Sequence, residues 1–361
     1  MLFCISSSFG RSIATGDAES IDCLLRLIDS RKRGLLLIYA SKRTVDVIIG
    51  YFESISDLRN AQIFRTISNK FRQKKQLLQD LTRFTLIRCS KSNTSRQRWN
   101  FISVTPHFVN SSNIFYPPIL LGESLSDCDL YAKRISKYFT SGIATSLIGF
   151  QLSDRFEPGG GNNTHISYST HKEKNIDLCF CIVDSDRVSP DSAPGDTAKF
   201  VKKVDIGGQS LLCKHLMIDV YSVENLLPIN EIERQFVKDK NKDQIEDFKK
   251  IKEIRKTSSW KHLPLKRGFK GGDFKKGKKW SYWAKQLETI GQKIPCCDTP
   301  NCNCIVIPSI SDKTLATALK NEDIDWMSCL NNEDNPVVRA DYMLISRELR
   351  SWLCVGSPIR A

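Results

Sequence analysis

Residues 178–183, Leu-Cys-Phe-Cys-Ile-Val, form an unbroken apolar run that stops at Asp184-Ser185-Asp186. A strand with one face in water alternates apolar and polar residues, whereas an unbroken run fits a strand covered on both faces, as in a parallel sheet between helices. The strand it predicts spans 176–183, apolar after Asp177. Similar runs at 119–121, 146–152 and 216–220 each lead into turn residues, and an amphipathic helical pattern covers about 129–139. Short apolar strands alternating with helices read as an open, mostly parallel α/β sheet flanked by helices.

Composition shifts divide the rest. Residues 1–115 read as an N-terminal α/β accessory module, with helical patterns at 17–28 and 45–81 and strand-like runs at 34–39 and 85–89. Its basic cluster Lys70, Arg72, Lys74 and Lys75 reads as a solvated helix face. Residues 116–230 hold the sheet just described. A third stretch, 231–290, joins a charged helix at 231–256 to a basic segment at 266–279 that carries seven Lys or Arg, four Gly and two Phe against one Asp. That segment is expected to be mobile until it meets a polyanion. Residues 291–361 read as a helical C-terminal region interrupted by cysteines.

The chain has 361 residues, 54 Lys+Arg and 40 Asp+Glu, a net charge of +14, which favours a polyanionic partner. Its longest apolar runs fall far short of the roughly 20 residues of a membrane span, and residues 1–5 are too short for a signal-peptide core. The expectation is a cytoplasmic protein without membrane association, its 13 cysteines reduced.

The chemistry-bearing constellation is three acids at two strand ends: Glu123 in the turn after the first strand, and Asp184 and Asp186 after the third. In open α/β sheets ligands bind beyond the carboxyl ends of the strands, so acids distant in sequence converge there. Residues i and i+2 of an extended chain face the same way, which aims both aspartates at one point. Such hard oxygen donors suit Mg²⁺ or Mn²⁺, and a divalent cation relieves their mutual repulsion. It also makes phosphodiester hydrolysis accessible.

Gly122-Glu123 followed by Asp127, with Asp184-x-Asp186 downstream and Tyr221-x-x-Glu224-Asn225-x-Leu227 after the fourth strand, resembles the Toprim domain, most closely that of overcoming-lysogenization-defect-type and other anti-phage nucleases. The likeness covers residues 116–228 and implies a Toprim-like fold and a metal-dependent nuclease cleaving DNA or RNA, tRNA included, as a toxic effector in bacterial antiviral defence. On that resemblance Glu123 is the general acid/base or a metal ligand, and Asp184 and Asp186 are the metal pair. Asp127 and Glu224 serve a second metal, with Asp127 alternatively a helix N-cap. Arg187 directly after the aspartates and the Ser-Pro-rich loop 189–197 depart from the pattern. No strand-passage or primase zinc module is evident, so topoisomerase and primase readings fall below nuclease.

The segment 260–268, Trp-Lys-His-Leu-Pro-Leu-Lys-Arg-Gly, also resembles a piece of Toprim-type defence proteins, with Lys266 as a phosphate contact and catalytic residue. Arg187, Lys266, Arg267, Lys270, Lys275, Lys276, Lys278 and Lys279 are the nucleic-acid-binding candidates, interleaved with Phe269, Phe274, Trp280, Tyr282 and Trp283 as stacking surfaces; a solvated linker is the alternative. Residues 156–163 read as a loop whose glycines could approach a phosphate, although the Gly-Lys-Ser/Thr of a P-loop is absent. Cys296, Cys297, Cys302 and Cys304, with His262 or His215, are candidates for structural Zn²⁺, against unusual spacing. No ATP site is evident, so motor activity or triggering would need a partner ATPase or sensor, and the terminal regions are large enough to dock such a partner or a second copy. Two rival functions stand: a nucleic-acid-binding adaptor whose acids only cap turns, and a glycosyltransferase using Asp-x-Asp, which leaves Gly122-Glu123 and the charge unexplained.

Overall fold

The computed structural model describes residues 1–72, 77–89, 96–98, 101–138, 151–207, 210–239, 242–275, 278–292, 294 and 302–359. The first sheet contains β1 (Leu2–Ile5), β2 (Leu37–Ala40), β3 (Phe84–Ile87), β4 (Arg96–Arg98) and β5 (Phe101–Val104), ordered β2-β1-β3-β5-β4. All its pairings are parallel except that of β4 with β5. Its helices include Ala18–Lys32, capped by the Asp17 side chain on Ser20 N, and Lys42–Ser54, capped by Ser41 on Thr44 N. The helical pattern expected over 45–81 is broken into Lys42–Ser54, Leu58–Arg72 and Leu77–Asp80. Residues 74 and 75 of the basic cluster, and the side chains of 70 and 72, lie outside what is described.

The second sheet positions the acids. It contains β6 (Ile119–Gly122), β8 (Phe156–Pro158), β9 (Cys179–Val183) and β10 (Cys213–Met217), ordered β10-β9-β6-β8 and wholly parallel; β7 (Gln151–Leu152) lies outside it. Every residue of β9 is buried. On one face Ile119, Leu121, Cys179, Cys181 and Val183 pack with Tyr168 of the helix Thr164–Lys174 and Val201 of the helix Asp196–Ile206. On the other, Leu120, Phe180 and Ile182 join the large core, where Phe180 stacks on Trp352 of the helix Pro336–Leu353 at 5.3 Å between centroids. Two covered faces account for the unbroken apolar run.

Several local expectations change. The second parallel strand is Phe156–Pro158, inside the stretch read as a loop, while Gln151–Leu152 of the expected 146–152 strand pairs antiparallel with β13 (Cys354–Val355); residues 146–150 lie outside those described. β8 is a three-residue edge strand ending in proline, which only an edge tolerates. The expected helix 129–139 starts earlier, at Leu125, and tightens and loosens through a π turn (Leu130–Arg134) and a 3-10 turn (Ile135–Lys137). The charged helix is two helices, Ile229–Asp239 and Lys242–Arg255. The basic segment, expected to be mobile, carries β11 (Phe269–Lys270), paired with β12 (Ile305–Ile307), then a 3-10 turn and the helix Lys278–Thr289. Among the described residues no helix is long and apolar enough to cross a membrane.

Candidate active site

The chain goes from β6 to β8 on one side and then crosses back to β9 on the other, so the switch in strand order falls between β6 and β9. A crevice is expected beyond the carboxyl ends of those two strands. Glu123 follows one and Asp184 the other.

The turn after β6 is tight. A Cβ on Gly122 would lie 2.8 Å from Cys128 Sγ, so only glycine lets the chain fold back into the helix there. Ser124 is the N-cap of that helix and Asp127 its reciprocal partner: Asp127 N donates to Ser124 Oγ at 3.3 Å and Ser124 N to Asp127 Oδ2 at 2.8 Å. Asp127 is therefore not the N-cap; one of its oxygens is engaged by the capping box. The glycine loop after β8 holds this turn from the other side, since Gly159 N donates to Gly122 O at 2.7 Å and Gly160 N and Gly161 N to Glu123 O at 3.1 Å each. The N–H groups of its three glycines are spent on the backbone carbonyls of Gly122 and Glu123 and are not left open to a phosphate.

Beyond β9 the chain is not extended. Ser185 N and Oγ both donate to Val220 O, at 2.9 and 2.8 Å, Asp186 N donates to Tyr221 O at 3.2 Å, and Asp186 has φ of 51°. The aspartates thus reach a common region through a left-handed turn, not through the pleat. Asp184 is half-buried and Asp186 exposed.

Glu224, 1% exposed, sits in a 3-10 turn after β10. The turn is fastened by fully buried Asn225, whose Oδ1 accepts from Ser222 N at 3.0 Å and whose Nδ2 donates to Trp260 O at 2.8 Å and Leu263 O at 3.0 Å. Trp260 Nε1 donates back to Asn225 O at 2.7 Å. The 221–227 segment and the 260–268 segment are thereby one unit, which carries Lys266 Nζ to 2.8 Å from Glu224 Oε1.

The resulting acidic cluster resists its own charge. Burial, then Asp127 and Asp186, push Glu123 up to about 7, although contact with the side chain and backbone of Asp184 works the other way. Burial pushes Asp127 up to about 6 against its bonds to Ser124, with Glu224 adding and Lys266 opposing. Asp184 is raised well above the carboxylate range by burial and then by Glu123, Asp186, Asp127 and Glu224. Loss of water raises Asp186, with Lys266 opposing. For Lys266 itself burial pulls downward, but Glu224, Asp127 and Asp184 outweigh it and raise it. Each influence requires proximity, so Glu123, Asp127, Asp184, Asp186, Glu224 and Lys266 share one region.

Two oxygens of this cluster, Glu123 Oε1 and Glu224 Oε2, are buried with no hydrogen-bond partner. Unpartnered buried carboxylate oxygens are costly, and an all-oxygen donor set fits a hard divalent cation. Among the described residues no group of three or more His, Cys, Asp or Glu side chains is arranged to hold a metal ion, so what speaks for a cation here is the donor chemistry and the mutual electrostatic influence of the acids.

The remaining basic candidates whose side chains are described have partners outside the five carboxylates. Arg187 pairs with Asp219 at 3.4 Å, where Lys261 also binds at 2.7 Å. Arg267 pairs with Asp273 at 2.6 Å and Lys270 Nζ donates to Asn303 at 3.4 Å. The side chains of 275, 276, 278 and 279 lie outside the described residues. Three of the five aromatic candidates are not stacking surfaces: Phe269 and Trp280 are 1% exposed, Trp283 is 0% exposed, and Phe269 meets Trp283 at 4.7 Å, whereas Phe274 and Tyr282 are half-buried against the same core. Of the zinc candidates, Cys296 and Cys297 fall outside the described residues, Cys302 is buried and Cys304 exposed. His262 Nδ1 lies 3.1 Å from Arg187 O and His215 Nδ1 2.5 Å from Asp205. Sequence reasoning missed Tyr131, buried and electrostatically linked to Asp127, Asp184 and Glu123; its place four residues after Asp127 on one helical face was the available signal. The chain matches no protein family, no curated protein sequence and no solved structure.

Proposed function

We propose that this protein is a divalent-cation-dependent nuclease of the Toprim type. The observation that carries the reading is that five carboxylates following three parallel strands act on one another electrostatically, that two of them, Glu123 and Glu224, each have a buried oxygen without a partner, and that one lysine pairs with Glu224. The net charge of +14 supports a polyanionic substrate.

Glu123, Asp184 and Asp186 would hold the cation, with Asp127 and Glu224 next to them. Held there, Mg²⁺ or Mn²⁺ supplies polarisation of a phosphoryl group and of a water. With the cation held by Asp184 and Asp186 alone, Glu123 would instead be the general acid/base, exchanging a proton at its carboxylate. Lys266 is placed to offset charge on phosphoryl oxygens. The role of toxic effector in antiviral defence follows from the family likeness of the 122–127, 184–186 and 221–227 motifs.

The test is incubation with end-labelled duplex DNA, single-stranded DNA and tRNA in Mg²⁺, Mn²⁺ or EDTA, beside the Asp184→Ala/Asp186→Ala double variant. Metal-dependent cleavage by the wild type alone is expected, and the substrate cut identifies the class. Equal binding by both proteins with no cleavage by either would favour the adaptor reading.

A further inference from the structure

We infer that the Lys266 ammonium occupies the position of a second cation at Glu224, so that the cluster takes one divalent cation readily and a second only when Lys266 is displaced. The inference rests on the reading of the cluster as a metal centre.

Glu224 is 1% exposed, and its two oxygens have different fates: Oε1 accepts from Lys266 Nζ at 2.8 Å, while Oε2 is buried with no partner. A carboxylate so deeply buried needs a counter-charge. Lys266 supplies it from a side chain that is itself 43% exposed. The backbone beneath is fixed, by Ile310 N donating to Leu265 O at 2.9 Å and by Gly268, whose φ of 63° and close approach to Ile307 O exclude any side chain. The ammonium can therefore swing away while its Cα stays in place.

Charge sets the order of loading. When ionised, five carboxylates facing one lysine leave an excess of four negative charges; with the ammonium displaced the excess is five, enough to draw in a second divalent cation. The region of Glu123, Asp184 and Asp186 includes an unpartnered buried oxygen, Glu123 Oε1. At Glu224 and Asp127 an incoming cation meets Lys266, whose charge acts on both. Two cations on one carboxylate repel each other, which weakens the second cation until the ammonium leaves. Once displaced, the ammonium remains tethered at the mouth of the site, beside exposed Asp186.

Mn²⁺ binding to the full-length, metal-stripped chain, followed by electron paramagnetic resonance and calorimetry, tests this without reference to cleavage. The wild type should show two classes of site, the second at least ~10-fold weaker, and Lys266→Met should tighten the second class by ~10-fold or more. Lys266→Arg should keep it weak. Glu224→Gln, which leaves no buried carboxylate at that position, should abolish the second class and preserve the first. This variant decides the matter if Lys266→Met does not fold. A Lys266→Met isotherm superimposable on the wild type, or two classes persisting in Glu224→Gln, would overturn the inference while leaving the metal centre intact. A wild type that binds no Mn²⁺ would overturn both.

Discussion

Gly195 and Asp186 are in contact: a Cβ built on Gly195 would lie 2.3 Å from Asp186 Oδ2 and 2.5 Å from Asp186 Cβ. Gly195 N also donates to Ser185 O at 2.9 Å, so the return of the Ser-Pro-rich loop defines one wall of the aspartate turn. Gly195→Ala should displace Asp186 and destabilise the fold by roughly 1–3 kcal/mol, the usual cost of overpacking. Cleavage and Mn²⁺ affinity should fall together. Wild-type affinity in a folded Gly195→Ala protein would show that Asp186 is free to move without consequence.

The raised acids predict an unusual pH dependence. Glu123 moves from 4.5 to about 7, so between those values the folded protein keeps a proton that the unfolded chain releases. Stability should then fall as pH rises through that window, by on the order of 3 kcal/mol for this group. Denaturant titrations in EDTA at pH 5 and pH 8 check the sign, and Glu123→Gln should flatten the difference. Mg²⁺ should restore stability at pH 8. An unchanged pH slope in Glu123→Gln would refute the assignment.

Asn225 joins two segments through four polar contacts on its side chain. Asn225→Ala removes one of two donors from each of the Trp260 and Leu263 carbonyls, which keep Leu263 N and Leu265 N, and should cost about 1–3 kcal/mol through the lost cross-segment bonds. Asn225→Asp should be at least as damaging at neutral pH, since it sets a carboxylate oxygen against those carbonyls. Urea unfolding of the pair measures this, and a loss under about 1 kcal/mol in both would contradict it.

Trp283 separates packing from nucleic-acid contact. It is 0% exposed and its Nε1 donates to Val188 O at 2.5 Å, just beyond the aspartate turn. Trp283→Ala should lose about 3–5 kcal/mol of stability. At temperatures where the variant is folded, nucleic-acid affinity should equal that of wild type. A selective loss of affinity without destabilisation would restore the stacking role that its burial denies.

What could be read from residues alone follows from where local pattern and tertiary burial agree. The run ending at Val183 is apolar because both faces of β9 are covered, so its pattern carries the sheet type directly. Glu123, Asp184 and Asp186 were legible because strand-end acids mark a position as well as a chemistry. β8 was not, since three residues ending in Pro158 on a sheet edge carry no periodicity. Nor was the burial of Phe269, Trp280 and Trp283, whose lysine-rich surroundings have the composition of a solvated binding segment; only their contacts with one another reveal a core. Gly195 was invisible for a related reason, because its closeness to Asp186 depends on how a long loop returns.

The docking of Asn225 onto Trp260 and Leu263 bears on any attempt to trim this protein. A fragment ending at Pro228 would contain all five carboxylates, yet it would lack Lys266 and the two carbonyls that hold the Glu224 turn. Transplanting the acidic site to another scaffold therefore means grafting two separate stretches of chain in register, not one.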